Sequence, residues 1–211
     1  MSPPGPARRT RNPRGGGAEL GVQIVATALD VIDHTGAQGL TLRGLARTIG
    51  VSAPAIYAHF ADIDAILLAA AERAFADLTR HLRAAVHGTA EPAARLRALC
   101  RAYLDYAEHH PGRYQLMFGS QWDATSAVER GAIGRRAVDD LGQDVLTLFI
   151  DAVRLNASSS PERGSTHTTD AVTSWVFLHG YAHQRLVARA FPWPDEMTDH
   201  VVDAVVDRLN R

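Results

Sequence analysis

The sequence predicts an all-α protein, and three observations support that fold class. Apolar residues recur at the three- and four-residue spacing of amphipathic helices along most of the chain. No stretch shows the alternation of apolar and polar residues that is typical of strands. Glycines and prolines fall between the periodic segments, where they end one helix before the next begins. The spacing predicts about nine helices in two domains.

The N-terminal segment MSPPGPARRTRNPRGGG is expected to remain outside the helical fold. It is rich in proline, glycine and arginine, and such a composition buries too little apolar surface to offset the entropy of folding. We therefore expect residues 1–17 to form a disordered basic arm. Its arginines are Arg8, Arg9, Arg11 and Arg14.

A small N-terminal domain at residues 18–62 is predicted to contain three helices. The first ends at Gly36, because glycine readily adopts the left-handed conformation of a helix C-terminus. The second begins after Thr41, a good N-cap residue, and ends at Gly50. The three helices cover residues 20–35, 42–49 and 53–60.

The C-terminal domain at residues 63–211 is predicted to contain six further helices. Its first helix is long and has apolar residues along one face, and Pro111 ends the second. We expect a loop at residues 119–127 and a polar linker at residues 156–168. The six helices cover residues 63–88, 92–110, 113–118, 128–155, 169–190 and 195–209.

The composition excludes several classes of protein. The chain has 211 residues, which suffice for one or two domains with a full core. Its single cysteine, Cys100, rules out a disulfide framework and a cysteine-based zinc site. No apolar run approaches the roughly 20 residues of a membrane span, and no signal peptide is recognisable. We expect a cytoplasmic protein that uses no cofactor and binds no membrane.

The distribution of charge favours an anion-binding N-terminal part. The net charge is −1, yet residues 1–60 carry six arginines against three acids. A basic head on an acidic body suits a partner such as nucleic acid, although a difference of this size also arises by chance.

The segment between the second and third helices has the pattern of a helix-turn-helix. Gly50 permits the tight turn, and the Ser52 hydroxyl can cap the third helix. Pro54 falls in the first turn, where a missing N–H is tolerated. Val51 and Ile56 stand at the two positions of a hydrophobic staple. These features predict a short third helix held at a fixed angle to the second.

The outward face of this third helix is small and smooth. Residues 53–55 allow close approach to the major groove of DNA and can contact a thymine methyl. Tyr57 and His59 can reach phosphate oxygens, and Arg43 and Arg47 on the preceding helix would lie near the DNA backbone. The alternative is a purely structural helix pair, because many all-α proteins contain short helices joined by glycine.

One long N-terminal run is more specific than the turn alone. It covers residues 24–67 and reads IVATALDVIDHTGAQGLTLRGLARTIGVSAPAIYAHFADIDAIL. Its segment GLTLRGLARTIGVS and Phe60 at the helix end resemble the TetR family of bacterial transcription regulators. Two C-terminal segments, HPGRYQLMF at 110–118 and WVFLHG at 175–180, are similar to a TetR subgroup with a Trp-x-x-x-His-Gly pattern.

The resemblance implies a helical homodimer whose N-terminal domains read a palindromic operator in double-stranded DNA. The C-terminal domain would dimerise and bind a small effector, which moves the fourth helix and changes the spacing of the two DNA-binding domains. By position in the family pattern, the implied DNA-facing residues are Thr41, Arg43, Ser52, Ala53, Pro54, Ala55, Tyr57 and His59.

One position departs from the family pattern. A lysine that meets a DNA phosphate usually stands near the start of the fourth helix, where this chain has Ile63 between Asp62 and Asp64. A missing cation lowers DNA affinity and flattens its salt dependence. Entry of the arm's arginines into the minor groove is a hypothesis for how the chain compensates.

Aromatic, soft and polar side chains of the C-terminal domain are the candidates for effector binding. They favour an apolar or aromatic effector, whereas burial in the core is the ordinary role of such residues. Trp122 is the least suited to the core because it lies in a predicted loop. The candidates are Tyr103, Met117, Phe118, Trp122, Phe149, Trp175 and His179.

Metal binding and catalysis find little support in the sequence. His179 and His183 have the spacing of a metal pair, but no third ligand lies nearby in sequence, which favours a packing role. No catalytic triad, phosphate-binding loop or carboxylate pair stands out. We therefore expect a protein that is not an enzyme.

Dimerisation is expected through the helices at about 169–190 and 195–209. Met197, Val201 and Val205 form an apolar face broader than a lone surface helix needs. The alternative is burial of that face within one subunit.

The sequence as a whole favours a ligand-responsive DNA-binding regulator. The favoured form is a repressor that a small apolar or aromatic effector releases from its operator. The alternative is a helical ligand-binding or scaffolding module with weak or lost DNA binding, which only the missing lysine supports.

Overall fold

The computed structural model describes residues 16–119, 121–157 and 167–210. These residues form eleven α-helices, one 3-10 turn at Ala37–Gly39 and no strand, which confirms the all-α class. The helices are α1 (Gly16–Thr35), α2 (Leu42–Ile49), α3 (Ala53–Tyr57), α4 (Ile63–Ala85), α5 (Pro92–His109), α6 (Pro111–Phe118), α7 (Ala124–Glu129), α8 (Arg135–Asp139), α9 (Gln143–Ala157), α10 (His167–Val187) and α11 (Met197–Asn210).

Helices α1–α3 form a small head whose apolar core continues into α4 and α6. Ile32 of α1, Leu45 of α2 and Ile56 of α3 are almost completely buried. Ile66 of α4 and Leu116 of α6 belong to the same cluster. The head is therefore packed directly onto two helices of the C-terminal part, which we call the body.

The body is built around α5, which packs against α4, α6, α9, α10 and α11. Apolar residues lie on most sides of α5, so Leu96, Leu99, Cys100 and Tyr103 are all buried. Burial raises the pKa of the Cys100 thiol to about 12, which makes this cysteine an inert core residue.

Several expected boundaries were wrong, and local chemistry explains them. The predicted loop at 119–127 contains the start of α7, because the Asp123 carboxylate caps it by accepting the Ser126 N–H at 3.0 Å. The single helix expected at 128–155 is broken into α7, α8 and α9. Gly131 and Gly142 have φ angles of 72° and 76° in the two breaks, a left-handed conformation that ends helices.

The third helix is shorter than expected and ends at Tyr57 rather than Phe60. The backbone N–H groups of His59 and Phe60 both donate to the Ile56 carbonyl, so the chain tightens into a turn. That turn brings Phe60 against the core of the head. Residues 1–15 of the expected arm and residues 158–166 of the expected linker lie outside the described residues.

The apolar face of α11 is buried within its own chain, so its side chains have almost no exposed surface with which to contact a partner subunit. Val201, Val202, Val205 and Val206 are each less than 5% exposed, because α11 packs against α5, α9 and α10. This burial contradicts the expectation of a surplus apolar face and fits the alternative of burial within one subunit, while dimerisation through α10 and α11 stays a prediction. Within the described ranges, no helix combines the length and apolar character needed to cross a membrane.

Candidate DNA-binding and effector-binding sites

The turn between α2 and α3 has the geometry that the sequence predicts. The Thr41 hydroxyl caps α2 by accepting the Gly44 N–H at 3.0 Å. Gly50 ends α2 with a φ of 81°, and its N–H donates to the Ala46 carbonyl at 3.0 Å. Because L side chains rarely adopt this φ, glycine is the residue that makes the turn possible.

Helix α3 presents a smooth surface to solvent. Ile56 is completely buried beneath it, while Ala53 and Ala55 are half-buried and Pro54 is exposed. Ser52 stands at the N-cap, yet its side chain makes no capping hydrogen bond. The Ser52 hydroxyl therefore remains available to an external partner.

Six of the eight predicted DNA-facing residues are exposed, and the two half-buried alanines lie between them. Tyr57 projects most clearly, with 54% of its surface exposed. Arg43 and Arg47 are exposed on α2, and among the described residues neither has a carboxylate partner. The head thus presents unpaired arginines beside small side chains. Such a surface can bind the phosphates of a nucleic acid while a helix enters its groove. The six exposed residues are Thr41, Arg43, Ser52, Pro54, Tyr57 and His59.

The residues that replace the usual lysine have structural roles at the start of α4. Ile63 packs against the core of the head, and the Asp62 carboxylate caps α4 by accepting the Ala65 N–H at 2.8 Å. Asp64 accepts hydrogen bonds from Trp122 Nε1 at 3.1 Å and from Arg130 at 2.9 Å. The segment after α6 is therefore attached to the N-terminal end of α4.

Six of the seven predicted effector residues lie together in the body. Phe118 is central, with ring centroids 5.1 Å from Tyr114, 5.8 Å from Trp175 and 5.2 Å from His179. Tyr103 completes the cluster by packing edge-on against Phe149 at 5.7 Å, and Met117 packs against both cores. Trp122 lies elsewhere, against the core of the head, so it does not share this site.

A hydrogen-bonded set of three polar groups lies within the aromatic cluster. The Tyr114 hydroxyl and His179 Nδ1 are 2.7 Å apart, and the Tyr103 and Tyr114 hydroxyls are 3.2 Å apart. Burial lowers the pKa of His179 and raises that of Tyr114 to about 12. Burial also raises the pKa of Tyr103, so all three groups are uncharged at neutral pH.

A cavity of about 210 Å³ opens beside this cluster, between α4, α9 and α10. Phe118 and Trp175 line the cavity and also contact His179 of the polar set, and Phe75 and Val145 form other parts of its wall. We call it the Phe118 cavity. No charged side chain of the described residues lines it, and Gln143 contributes the polar side chain.

Sequence reasoning missed most of the walls of the Phe118 cavity. Phe75 reads as one of many apolar residues on α4, and the expected continuous helix at 128–155 concealed the turn at Gly142. A methyl group on Gly142 would lie 2.9 Å from Phe75 Cε1. The signal that could have located this turn was a glycine between two apolar helical stripes.

The two histidines four residues apart lie side by side on α10, with His179 half-buried and His183 exposed. Their rings stack at 6.3 Å, and His179 is already engaged by the tyrosines. Among the residues that the structure describes, no group of three His, Cys, Asp or Glu side chains could hold a metal ion.

Helix α6 connects the aromatic cluster to the head. Arg113 Nε donates to Asp33 of α1 at 2.9 Å, and Arg113 Nη1 donates to Asp77 of α4 at 3.0 Å. A methyl group on Gly112 would lie 2.3 Å from the Ile32 carbonyl oxygen, so α6 and α1 are in close backbone contact. The same helix carries Tyr114 and Phe118 on its other side.

Comparison with known proteins gives two family matches. The family described as bacterial regulatory proteins, tetR family, matches residues 24–76. The family described as tetracyclin repressor-like, C-terminal domain, matches residues 96–209, which is more than half of the chain.

Two curated relatives of this chain are also named as transcriptional regulators. An uncharacterized HTH-type transcriptional regulator of Mycobacterium tuberculosis is 33% identical over 52% of this chain and 51% of its own. The HTH-type transcriptional activator FasR of Mycolicibacterium smegmatis is 31% identical over 47% of this chain and 46% of its own. The chain thus spans about half the length of these curated relatives. A solved protein of unknown function from Rhodococcus sp. RHA1 has a TM-score of 0.75 at 29% identity, with 95% of this chain and 98% of that chain covered.

Proposed function

Because the chain belongs to the TetR family of bacterial regulatory proteins, we propose that it is a ligand-responsive repressor that binds a palindromic operator. The observation that carries this proposal is the helix-turn-helix of α2 and α3, with the small side chains of residues 53–55 at its surface and the exposed arginines Arg43 and Arg47 beside them. A small apolar or aromatic effector bound in the body releases the protein from DNA. FasR is named an activator, so the direction of regulation is part of what must be tested.

The proposed DNA contacts divide into groove and backbone contacts. Ala53, Pro54 and Ala55 enter the major groove, where their small size permits close approach of α3. Tyr57, His59 and the Ser52 hydroxyl contact phosphate oxygens or sugars. Thr41 and Arg43 approach the backbone from α2, and the arginine supplies salt-dependent affinity.

The proposed dimer uses α10, whose outer face carries an unpartnered apolar stripe. Val172, Val176, Gly180 and Val187 are exposed along this helix. Their spacings of four, four and seven residues keep them on one side of the helix, as in a bundle of packed helices. Gly180 has open space at the position of a missing side chain, which allows a partner helix to approach closely.

The proposed effector site is the Phe118 cavity. Its walls lack charge, and burial of an unpaired ion there would be costly, which favours an uncharged apolar or aromatic ligand. A ligand that displaces Phe118 would act directly on α6, because Phe118 is the last residue of that helix. Movement of α6 then reaches the head through Arg113 and through the contact of Gly112 with Ile32.

A gel shift on the DNA that flanks the protein's own gene, with competitor DNA and a series of salt concentrations, tests the proposal. We expect a specific shift that weakens steeply with salt. Arg43→Gln should reduce both the affinity and the salt slope, whereas Arg136→Gln on α8, with a side chain 93% exposed, should change neither.

If no shift is seen, the protein is unfolded and refolded to remove any bound ligand. The refolded protein is then used to select binding sites from random-sequence DNA. Failure to bind DNA in that selection would contradict the regulator proposal. It would support the alternative of a module that has lost DNA binding with its missing lysine.

A further inference from the structure

A second cavity of about 390 Å³ lies between α5, α10 and the segment that joins α10 to α11. Leu104, Ala107 and Leu186 contribute apolar surface to it, and Trp193 stands in its wall. We call it the Trp193 cavity. It shares no lining residue with the Phe118 cavity, so occupancy of one is separable from occupancy of the other.

The charges that line this cavity are not balanced. Arg185 lies in the last turn of α10, Arg189 lies in the turn that follows the helix, and Glu108 is the acid among the lining residues. Arg185 and Glu108 form an ion pair of 3.3 Å in which Glu108 is 63% exposed. Such an exposed pair contributes little stability, so another anion can replace Glu108 as the partner of Arg185.

Arg189 provides the surplus positive charge. Its Nε donates to the Leu186 carbonyl at 3.2 Å, and no carboxylate within the described part of the chain pairs with it. This contact orients the guanidinium and leaves its terminal nitrogens available. Two oxygens of a carboxylate or of a phosphate can match that planar group.

Trp193 is a fixed aromatic wall despite lying between helices. Its Nε1 donates to the Ala188 carbonyl at 3.1 Å, and its ring meets Tyr181 edge-on at 5.7 Å. The Arg185 guanidinium lies 5.8 Å from the centre of the same ring. An apolar or aromatic group can therefore pack on Trp193 while its charge reaches the arginines.

We infer that the Trp193 cavity binds an organic carboxylate with an apolar or aromatic body. The carboxylate pairs with Arg185 and Arg189, and the body covers Leu104, Leu186 and Trp193. The net charge of +1 from two arginines and one glutamate matches a monoanion better than a doubly charged phosphate. The exposed stripe of α10 lies on the opposite side of the helix from Arg185, so the proposed dimer leaves the cavity open.

Titration calorimetry with 2-naphthoate tests this inference on the full chain, with the uncharged 2-naphthalenemethanol as the matched ligand. We expect saturable binding of naphthoate and at least about tenfold weaker binding of the alcohol. The double variant Arg185→Gln/Arg189→Gln should lose about tenfold or more in naphthoate affinity, while Arg136→Gln should keep it. Equal binding of acid and alcohol, absent binding, or unchanged affinity in the double variant would each overturn the inference.

A further variant separates this site from the proposed effector site. Leu146→Trp places a large ring in the wall of the Phe118 cavity, and Leu146 neither lines the Trp193 cavity nor belongs to the exposed stripe of α10. We expect naphthoate affinity to survive this change, and its loss would place the ligand in the Phe118 cavity instead. This test measures ligand binding and uses no DNA. Carboxylate binding in the Trp193 cavity can therefore fail while operator binding holds, and the reverse is also true.

Discussion

At residue 142 the backbone has a φ of 76°, and a methyl group there would lie 2.9 Å from Phe75 Cε1. Gly142→Ala therefore combines backbone strain with a steric clash at the wall of the Phe118 cavity. We expect a loss of about 2–4 kcal/mol in the free energy of unfolding, measured by urea denaturation.

Gly131→Ala is the matched control for this prediction. Gly131 has a similar φ of 72°, but nothing lies within 4 Å of the position that a methyl group would take. The Gly131→Ala variant should therefore lose only the free energy that backbone strain costs, about 1–2 kcal/mol of unfolding free energy. Equal losses in the two variants would show that Phe75 moves aside freely and does not fix the cavity wall.

We expect the imidazole of His179 to make the stability of the body depend on pH. Burial lowers its pKa below the ordinary value of 6.5, so the unfolded chain takes up a proton at a higher pH than the folded chain does. The free energy of unfolding should therefore fall as the pH drops from about 6.5 to the folded pKa.

His179→Gln should flatten that part of the stability profile, measured by urea unfolding at several pH values between about 7.5 and 5. His34→Gln, at an exposed position on α1, is the control for replacing a histidine outside the aromatic cluster. A profile that His179→Gln does not alter would show that protonation of this group is not linked to folding.

At the scale of the elements, α10 carries an exposed apolar stripe that includes Val172, Val176 and Val187. Val176 is 54% exposed in the middle of the stripe, so Val176→Glu should leave the monomer folded and place a charge in the proposed interface. We expect light scattering to report a monomer where the unmodified chain is a dimer.

Val22→Glu controls for the added charge, since Val22 is 65% exposed on α1, away from the stripe. A Val176→Glu variant that remains a dimer would exclude the α10 stripe as the interface. Val201 on α11 cannot serve in this test, because it is only 4% exposed and a charge there would disrupt folding.

The elements that the sequence predicted best are those with their own local signals. Helix α2 has the expected bounds because Thr41 caps it and Gly50 ends it through contacts within a few residues. The 119–142 region was predicted poorly, since glycines at 131 and 142 interrupt a pattern that otherwise continues as helix. The burial of α11 depends on α5 and α9, which no pattern within α11 itself reveals.

At the scale of the whole molecule, α6 joins two cores that the sequence assigns to separate domains. Residue type alone named most side chains of the aromatic cluster as effector candidates, but the Phe118 cavity and the Arg113 contacts join residues that are distant in sequence. Arg113 lies 80 residues from Asp33 and 36 from Asp77. Only the packing of α6 against both α1 and α4 brings these groups together.

Leu116 is the side chain of α6 that enters the core of the head, and it is only 2% exposed. If this contact fixes how the head sits on the body, Leu116→Ala should weaken operator binding beyond its effect on stability. The cost in stability should be about 2–5 kcal/mol, as for other buried leucines.

Leu99→Ala is the matched variant, since Leu99 is 1% exposed in the core of the body and belongs to the other cluster. Both variants should lose similar stability in urea, but only Leu116→Ala should lower operator affinity in a fluorescence anisotropy titration under conditions where both are folded. Equal operator affinity in the two variants would show that the head keeps its position without Leu116. The path from effector to DNA would then have to run through α4, which reaches both cores, rather than through α6.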